Sequence, residues 1–230
     1  MAIENCAVFF DVDGVLVDSL PEHLRICADL AEQFRLHEVR IPTVDEFRAM
    51  VSSGTKVSPM LDFFLAVGFP TEFAVRGVEI YETQFNIRYK PRLFLGAEKM
   101  LNKLQREGAT LGIVTSNTKE NVEDTLGPLL TYFDEHCLFY YDHLDRKKTK
   151  AWSLSEGAKR VRVEAGRRLY VGDQPSDANA AFQAEWMFLG AGYGWGINSN
   201  EFRYPVARSI LEIPNFATRI FKGAHNGEKY

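Results

Sequence analysis

Cys6-Ala7-Val8-Phe9-Phe10-Asp11-Val12-Asp13-Gly14-Val15-Leu16-Val17-Asp18-Ser19 is an apolar run that ends in two carboxylates and a glycine and then resumes. An apolar run without alternation reads as a strand buried on both faces, as in a parallel sheet. Ligands of open parallel sheets collect outside the carboxyl ends of the strands, so Asp11 and Asp13 stand where chemistry takes place. Residues two apart share one face of a strand, which lets both carboxylates address one metal ion and one phosphate, and Gly14 frees the chain to turn tightly. A carboxylate there needs a cation, a hydrogen-bond donor or a reacting substrate. It can act as a nucleophile and form an acyl-phosphate, while its neighbour handles the leaving-group proton. A calcium loop requires Gly at its sixth position and Glu at its twelfth, and Gly14 is fourth.

The chain has 230 residues, 46% of them hydrophobic and 13% aromatic, enough for one substantial core or two linked domains. Its 27 basic against 31 acidic side chains leave a formal charge of −4, which is no electrostatic footprint for nucleic acid or for an anionic membrane. The basic cluster Arg146-Lys147-Lys148-Thr149-Lys150 reads as local. Cys6, Cys27 and Cys137 are widely spaced, without a Cys-x-x-Cys pair, and read as small buried hydrophobes in a reducing compartment. The run from Cys6 to Phe10 is too short for a signal peptide or a membrane span. A cytoplasmic monomer or homodimer is the expectation, with a polar tail from Lys222.

From Ser19 onward the pattern turns helical. Ser19-Leu20-Pro21-Glu22 reads as a capping box, with Leu24, Cys27, Ala31 and Phe34 following at helical spacing. Thr43 and Glu46 form a second box, Ser58-Pro59 caps a third helix that stops at Gly68, and Thr71 opens a long fourth one ending near Pro91. Residues 19–90 therefore read as an all-helical insert, and 1–18 with 91–230 as the domain that receives it. After the insert, strand and helix alternate. Met100, Leu101 and Leu104 mark a helix, Thr110 to Val114 a strand that ends in Thr115-Ser116-Asn117, and Cys137–Tyr140, Leu169–Val171 and Met187–Leu189 further strands. Helices are expected between Lys150 and Val163 and between Asp177 and Ala184. Such alternation predicts an α/β fold, a Rossmann-like parallel sheet with helices on both faces.

A second strand-to-loop junction, Gly172-Asp173-Gln174-Pro175-Ser176-Asp177, repeats the logic of the first. Mg²⁺ takes hard oxygens from one or two carboxylates plus waters and substrate phosphate, so Asp11 and Asp173 on adjacent strands would suffice. Asp177 reads equally as a helix N-cap or as a residue supporting the metal. Gly190-Ala191-Gly192-Tyr193-Gly194-Trp195-Gly196, running on into Asn198-Ser199-Asn200, reads as a turn-rich loop near the site.

With these motifs in order, the chain resembles the haloacid dehalogenase-like hydrolase superfamily, in the subgroup of phosphoglycolate phosphatases and β-phosphoglucomutases. Asp11 to Ser19 matches the first motif, Leu111 to Thr115 the second and Gly172 to Asp177 the fourth. The third departs from the common Lys-Pro-x-Pro form. Gap-free spacing points to Lys148, whereas Thr149-Lys150 with Leu154 fits the start of a helix and favours Lys150. The resemblance implies a phosphatase acting on a small phosphorylated metabolite, with Asp11 as nucleophile and Asp13 as acid and base. Mg²⁺ would sit on Asp11, the Asp13 backbone carbonyl and Asp173, near Asp177. Thr115 and the motif-three lysine would hold the phosphoryl oxygens, beside Gly14, Ser116 and Asn117. The insert corresponds to a mobile cap, to which His23 and Lys56 would contribute substrate contacts; an exposed helix His and a solvated loop Lys are the competing readings. A phosphomutase shares all four motifs. A non-catalytic binding protein on the same fold is the alternative from another class.

Overall fold

The computed structural model describes residues 3–142, 145, 147–197 and 202–225. Arg146, Asn198-Ser199-Asn200 and the end of the polar tail lie outside the described residues. The fold is built on β1 (Cys6–Phe10), flanked by β4 (Ala109–Val114) and then β5 (Leu138–Phe139) on one side, and by β6 (Arg168–Gly172), β7 (Met187–Ala191) and β8 (Val206–Ala207) on the other. All pairings in this six-stranded sheet are parallel, with Phe9 opposite Gly112 of β4 and Tyr170 of β6. The chain winds outward from β1 in one direction, then returns and winds in the other, and that reversal opens a crevice at the carboxyl ends of the central strands.

The unbroken apolar run of β1 follows from burial on two faces. Cys6, Val8 and Phe10 enter one core with Met100, Leu101 and Leu104 of α5 (Ala97–Arg106), Val122 and Leu126 of α6 (Lys119–Leu126), and Ile213, Ala217, Ile220 and Phe221 of α9 (Ile213–His225). Ala7 and Phe9 enter the other with Leu154 of α7 (Lys150–Val161) and Ala178 and Ala181 of α8 (Pro175–Gln183). Each fully buried Val, Leu, Ile, Met or Phe side chain here contributes about 1.5–3 kcal/mol. No helix among the described residues is long and apolar enough to cross a membrane.

A short antiparallel ribbon of β2 (Val17–Asp18) and β3 (Arg92–Leu93) forms the stem from which four helices project: α1 (Leu20–Gln33), α2 (Val44–Ser52), α3 (Met60–Val67) and α4 (Thr71–Arg88). Their apolar faces meet in a separate core rich in rings, including Phe47, Phe63, Phe64, Tyr81 and Phe85. The Thr43 box forms as the sequence predicts, Thr43 N–H donating to Glu46 at 2.8 Å. The Ser19 box does not. Ser19 has helical dihedrals (φ −95°, ψ −12°) and makes no side-chain cap bond, since a helical conformation turns the hydroxyl away from the first-turn amides. The third helix likewise starts at Met60 without a side-chain cap, and α6 and α9 are helices that the sequence reading did not assign.

Candidate active site

At the carboxyl ends of β1 and β6 the chain brings Asp11, Asp173 and Asp177 together, all buried, each with a carboxylate oxygen within 4.8 Å of the others. Asp11 follows β1 directly, and its Oδ1 accepts from the Val12 N–H at 2.7 Å. Lys150 opens α7, which Thr149 caps by accepting from the Trp152 N–H at 3.2 Å. From that first helical position its Nζ donates to Asp11 Oδ2 and, at 2.6 Å, to Asp177 Oδ1. Lys148 points elsewhere, to Asp142 at 2.9 Å on the exposed side.

Asp177 is not an N-cap. Helix α8 begins two residues before it, with Gln174 as N-cap and Pro175 first, and Pro175 was the available signal because proline favours the first helical position. Asp177 thus occupies the third position, where its Oδ2 accepts from the Asp173 and Gln174 N–H groups, both at 3.1 Å. Asp173 is held by the Trp195 N–H on Oδ2 at 2.7 Å, while its Oδ1 is buried without a hydrogen-bond partner among the described residues. Gly14, at φ +74°, lies so close that a Cβ there would sit 2.0 Å from Asp173 Oδ2.

These contacts set the electrostatics. Three carboxylates are buried together, and one ammonium, Lys150, pairs with two of them, Asp11 and Asp177. Burial raises the Asp11 carboxyl to about 6, with Lys150 pulling it down and Asp177 pushing it up. Burial, then the charges of Asp177 and Asp11, lift Asp173 well above the carboxylate range against the opposing Trp195 hydrogen bond. Burial presses the Lys150 ammonium downward, but Asp11 and Asp177 hold it well above its ordinary value. A buried acidic cluster with surplus negative charge and an unpartnered oxygen suits a hard cation.

The remaining candidates separate into two groups. Asn117 Nδ2 donates to Asp13 Oδ2 at 2.9 Å, and Thr115 is buried with Oγ1 accepting from the Asn117 N–H at 3.1 Å; these lie at the ends of β1 and β4, with exposed Ser116 between Thr115 and Asn117. The Asp13 side chain is outside the three-carboxylate cluster. Lys56, by contrast, pairs with Asp62 at 2.6 Å within the insert and is mostly solvent-exposed. His23 is not exposed: it is buried, its Nδ1 2.8 Å from the Ser19 carbonyl oxygen and its Nε2 3.2 Å from Tyr81 Oη, packed against the rings of Phe85 and Trp195 and within reach of the Asp13 charge. Sequence reasoning missed Trp195 and Arg48, whose places depend on contacts across the whole chain.

A parallel α/β sheet with a helical insert after its first strand and carboxylates at two neighbouring strand ends defines a class of hydrolytic scaffold. The family model for haloacid dehalogenase-like hydrolases matches residues 8–191, and the chain belongs to that family. It is 31% identical over 217 residues to the phosphoglycolate phosphatase of Xanthomonas campestris pv. campestris (strain 8004), covering 90% of this chain and 92% of that one. It is 25% identical over 197 residues to the N-acetylmuramic acid 6-phosphate phosphatase of Pseudomonas putida, covering 82% of this chain and 83% of that one. Among solved structures, a haloacid dehalogenase-like hydrolase of Streptococcus pneumoniae shares the fold with a TM-score of 0.73 at 20% identity, over 94% of this chain and 99% of that one.

Proposed function

We propose that this chain, a phosphatase of the haloacid dehalogenase-like family, hydrolyses a small phosphate monoester of the phosphoglycolate or sugar-phosphate kind with Mg²⁺ as cofactor. The observation that carries the reading is the buried cluster of Asp11, Asp173 and Asp177 around Lys150. Asp11 attacks phosphorus in line; its carboxylate oxygen bonds to phosphorus as the bond to the leaving alkoxide breaks, giving an aspartyl-phosphate. Asp13 gives its proton to that alkoxide. It then takes a proton from the water whose oxygen attacks the same phosphorus and frees Asp11. The Asn117 amide, donating to Asp13 at 2.9 Å, orients this acid and base.

Lys150, the Thr115 hydroxyl and nearby backbone N–H groups hold the phosphoryl oxygens, because phosphoryl transfer depends on positioning and charge stabilisation. Asp11, the Asp13 carbonyl and Asp173 would hold Mg²⁺, with Asp177 fixing Asp173 and Lys150; the ion supplies neutralisation of phosphoryl charge. Residues 19–90 act as a cap that excludes water and selects the substrate, over a core formed by 1–18 and 91–230.

Phosphate release from p-nitrophenyl phosphate, with Mg²⁺ and with excess chelator, tests the reaction. Phosphoglycolate, N-acetylmuramic acid 6-phosphate and hexose phosphates test the substrate. Mg²⁺-dependent release is expected, fastest on one of the natural esters. Absence of release from all of them would overturn the proposal.

A further inference from the structure

The segment Tyr193 to Gly196, which follows β7, is gripped from two sides. Toward the acidic cluster, the Trp195 N–H donates to Asp173 Oδ2 at 2.7 Å and the Gly196 N–H to the Asp173 carbonyl at 3.2 Å. From the helical insert, α2 reaches the same segment: Arg48 Nε donates to the Gly194 carbonyl at 2.8 Å, its Nη2 to the Tyr193 carbonyl at 3.1 Å, and Ser52 Oγ to the Gly196 carbonyl at 3.0 Å. The Trp195 ring enters the insert's aromatic core, 4.9 Å from the His23 ring and 5.8 Å from that of Phe63. Tyr193 Oη ties the segment to the Val15 carbonyl at 3.0 Å.

This packing leaves little play. A Cβ on Gly194 would lie 2.5 Å from Asp173 Cβ, and one on Gly196 would lie 2.1 Å from Val51 Cγ1 of α2. The rigid, planar guanidinium fork serves two successive carbonyls in one fixed geometry, where a lysine ammonium would be a point donor on a flexible stem. The clamp acts on the backbone of Tyr193–Gly196. Its link to the site runs through Asp173.

We propose that Arg48 is a positioning residue for the cation site: by clamping Tyr193–Gly196 it keeps the Trp195 amide on Asp173 Oδ2 and leaves Asp173 Oδ1 as the free ligand atom. The inference rests on the reading of the acidic cluster as a Mg²⁺ site. It makes docking of the insert and cation affinity two sides of one equilibrium, since a coupling between two binding events is reciprocal.

The test is calorimetric titration of the full chain with MgCl₂, in the wild type and in Arg48→Ala, Arg48→Lys, Ser52→Ala and Asp45→Asn. Asp45 is an exposed neighbour on α2, 4.0 Å from Arg48, and serves as the charge control. The Mg²⁺ Kd is expected to rise about tenfold in Arg48→Ala and roughly threefold in Arg48→Lys and Ser52→Ala, as loss of two or one hydrogen bonds coupled to the site would give. Asp45→Asn should leave it unchanged, and saturating Mg²⁺ should restore most of the Arg48→Ala turnover. Wild-type binding together with an unchanged Kd in the folded variants overturns the inference alone. Absence of Mg²⁺ binding to the wild-type chain overturns both the cation reading and the inference. If Arg48→Ala does not fold, the exposed Ser52→Ala decides.

Discussion

At the carboxyl end of the sheet, Asp11, Asp173 and Asp177 are buried together with one ammonium, which pairs with Asp11 and Asp177, whereas inside the helical insert His23 is buried among the rings of Phe63, Tyr81, Phe85 and Trp195 with no acid as its hydrogen-bond partner. Desolvation acts on both. It raises Asp11 to about 6 and Asp173 well above the carboxylate range, and lowers the imidazole, with the Asp13 charge opposing. The first region is left with negative charge that a cation can relieve. The second reaches its lowest energy by staying neutral. Burial alone therefore does not mark a reactive group; what marks it is burial together with unpaired charge of one sign.

The largest expected effect comes from removing the nucleophile while keeping its shape. Asp11→Asn should lower p-nitrophenyl phosphate turnover by roughly 10⁴-fold or more, and its thermal midpoint should not fall, because a surplus charge leaves the cluster. Turnover within tenfold of wild type would break the assignment of chemistry to this region.

Next come the two lysines. Lys150→Ala should lower kcat by about 10²-fold, as loss of a charge stabiliser does, while Lys148→Ala, whose partner Asp142 lies on the surface, should stay within about twofold. Steady-state kinetics showing the reverse would move the phosphate-holding cation to Lys148.

A third experiment reads the surplus charge through stability. Because the folded Asp11 titrates near 6 against an ordinary 3.8, the folded state holds that proton more tightly. Its contribution to stability is present below about pH 4 and is lost as the pH rises through about 6. Mg²⁺ at a hundredfold excess over its Kd should then raise the melting midpoint at pH 7 by roughly 5–10 °C. At pH 5, where protons compete, the rise should be smaller. Scanning calorimetry that finds equal shifts at both pH values would contradict the electrostatic account.

The smallest effect belongs to the insert. With its pKa lowered by burial, His23 contributes stability that is present above its ordinary value of 6.5 and lost as the pH falls below it. His23→Phe should flatten this acid limb in urea melts between pH 7 and 5, whatever it does to the absolute midpoint. Identical slopes in both proteins would show that the imidazole does not carry the effect.

Much of this architecture was readable from short-range pattern. The apolar run of β1, the alternation after residue 91, the Thr43 box and the helix start at Thr149-Lys150 all depend on neighbours within a few positions. The Ser19 box failed because the hydroxyl was buried at the stem of the insert, where packing rather than capping sets the dihedrals. Of the two readings of Asp177, the N-cap one does not hold, because Pro175 takes the first helical position and sets the N-cap at Gln174.

By itself, then, the sequence determined a parallel α/β sheet with a helical insertion and placed carboxylates at the ends of β1 and β6, since hydrophobic period, capping and turn chemistry are local properties of the chain. Only the tertiary structure decided which lysine meets Asp11, that His23 is enclosed by rings, and that Arg48 reaches the carbonyls of Tyr193 and Gly194, 145 and 146 positions away. Such contacts arise where separately folded faces dock, and no residue's neighbours in sequence carry information about which distant backbone will present an unpaired carbonyl or a buried charge.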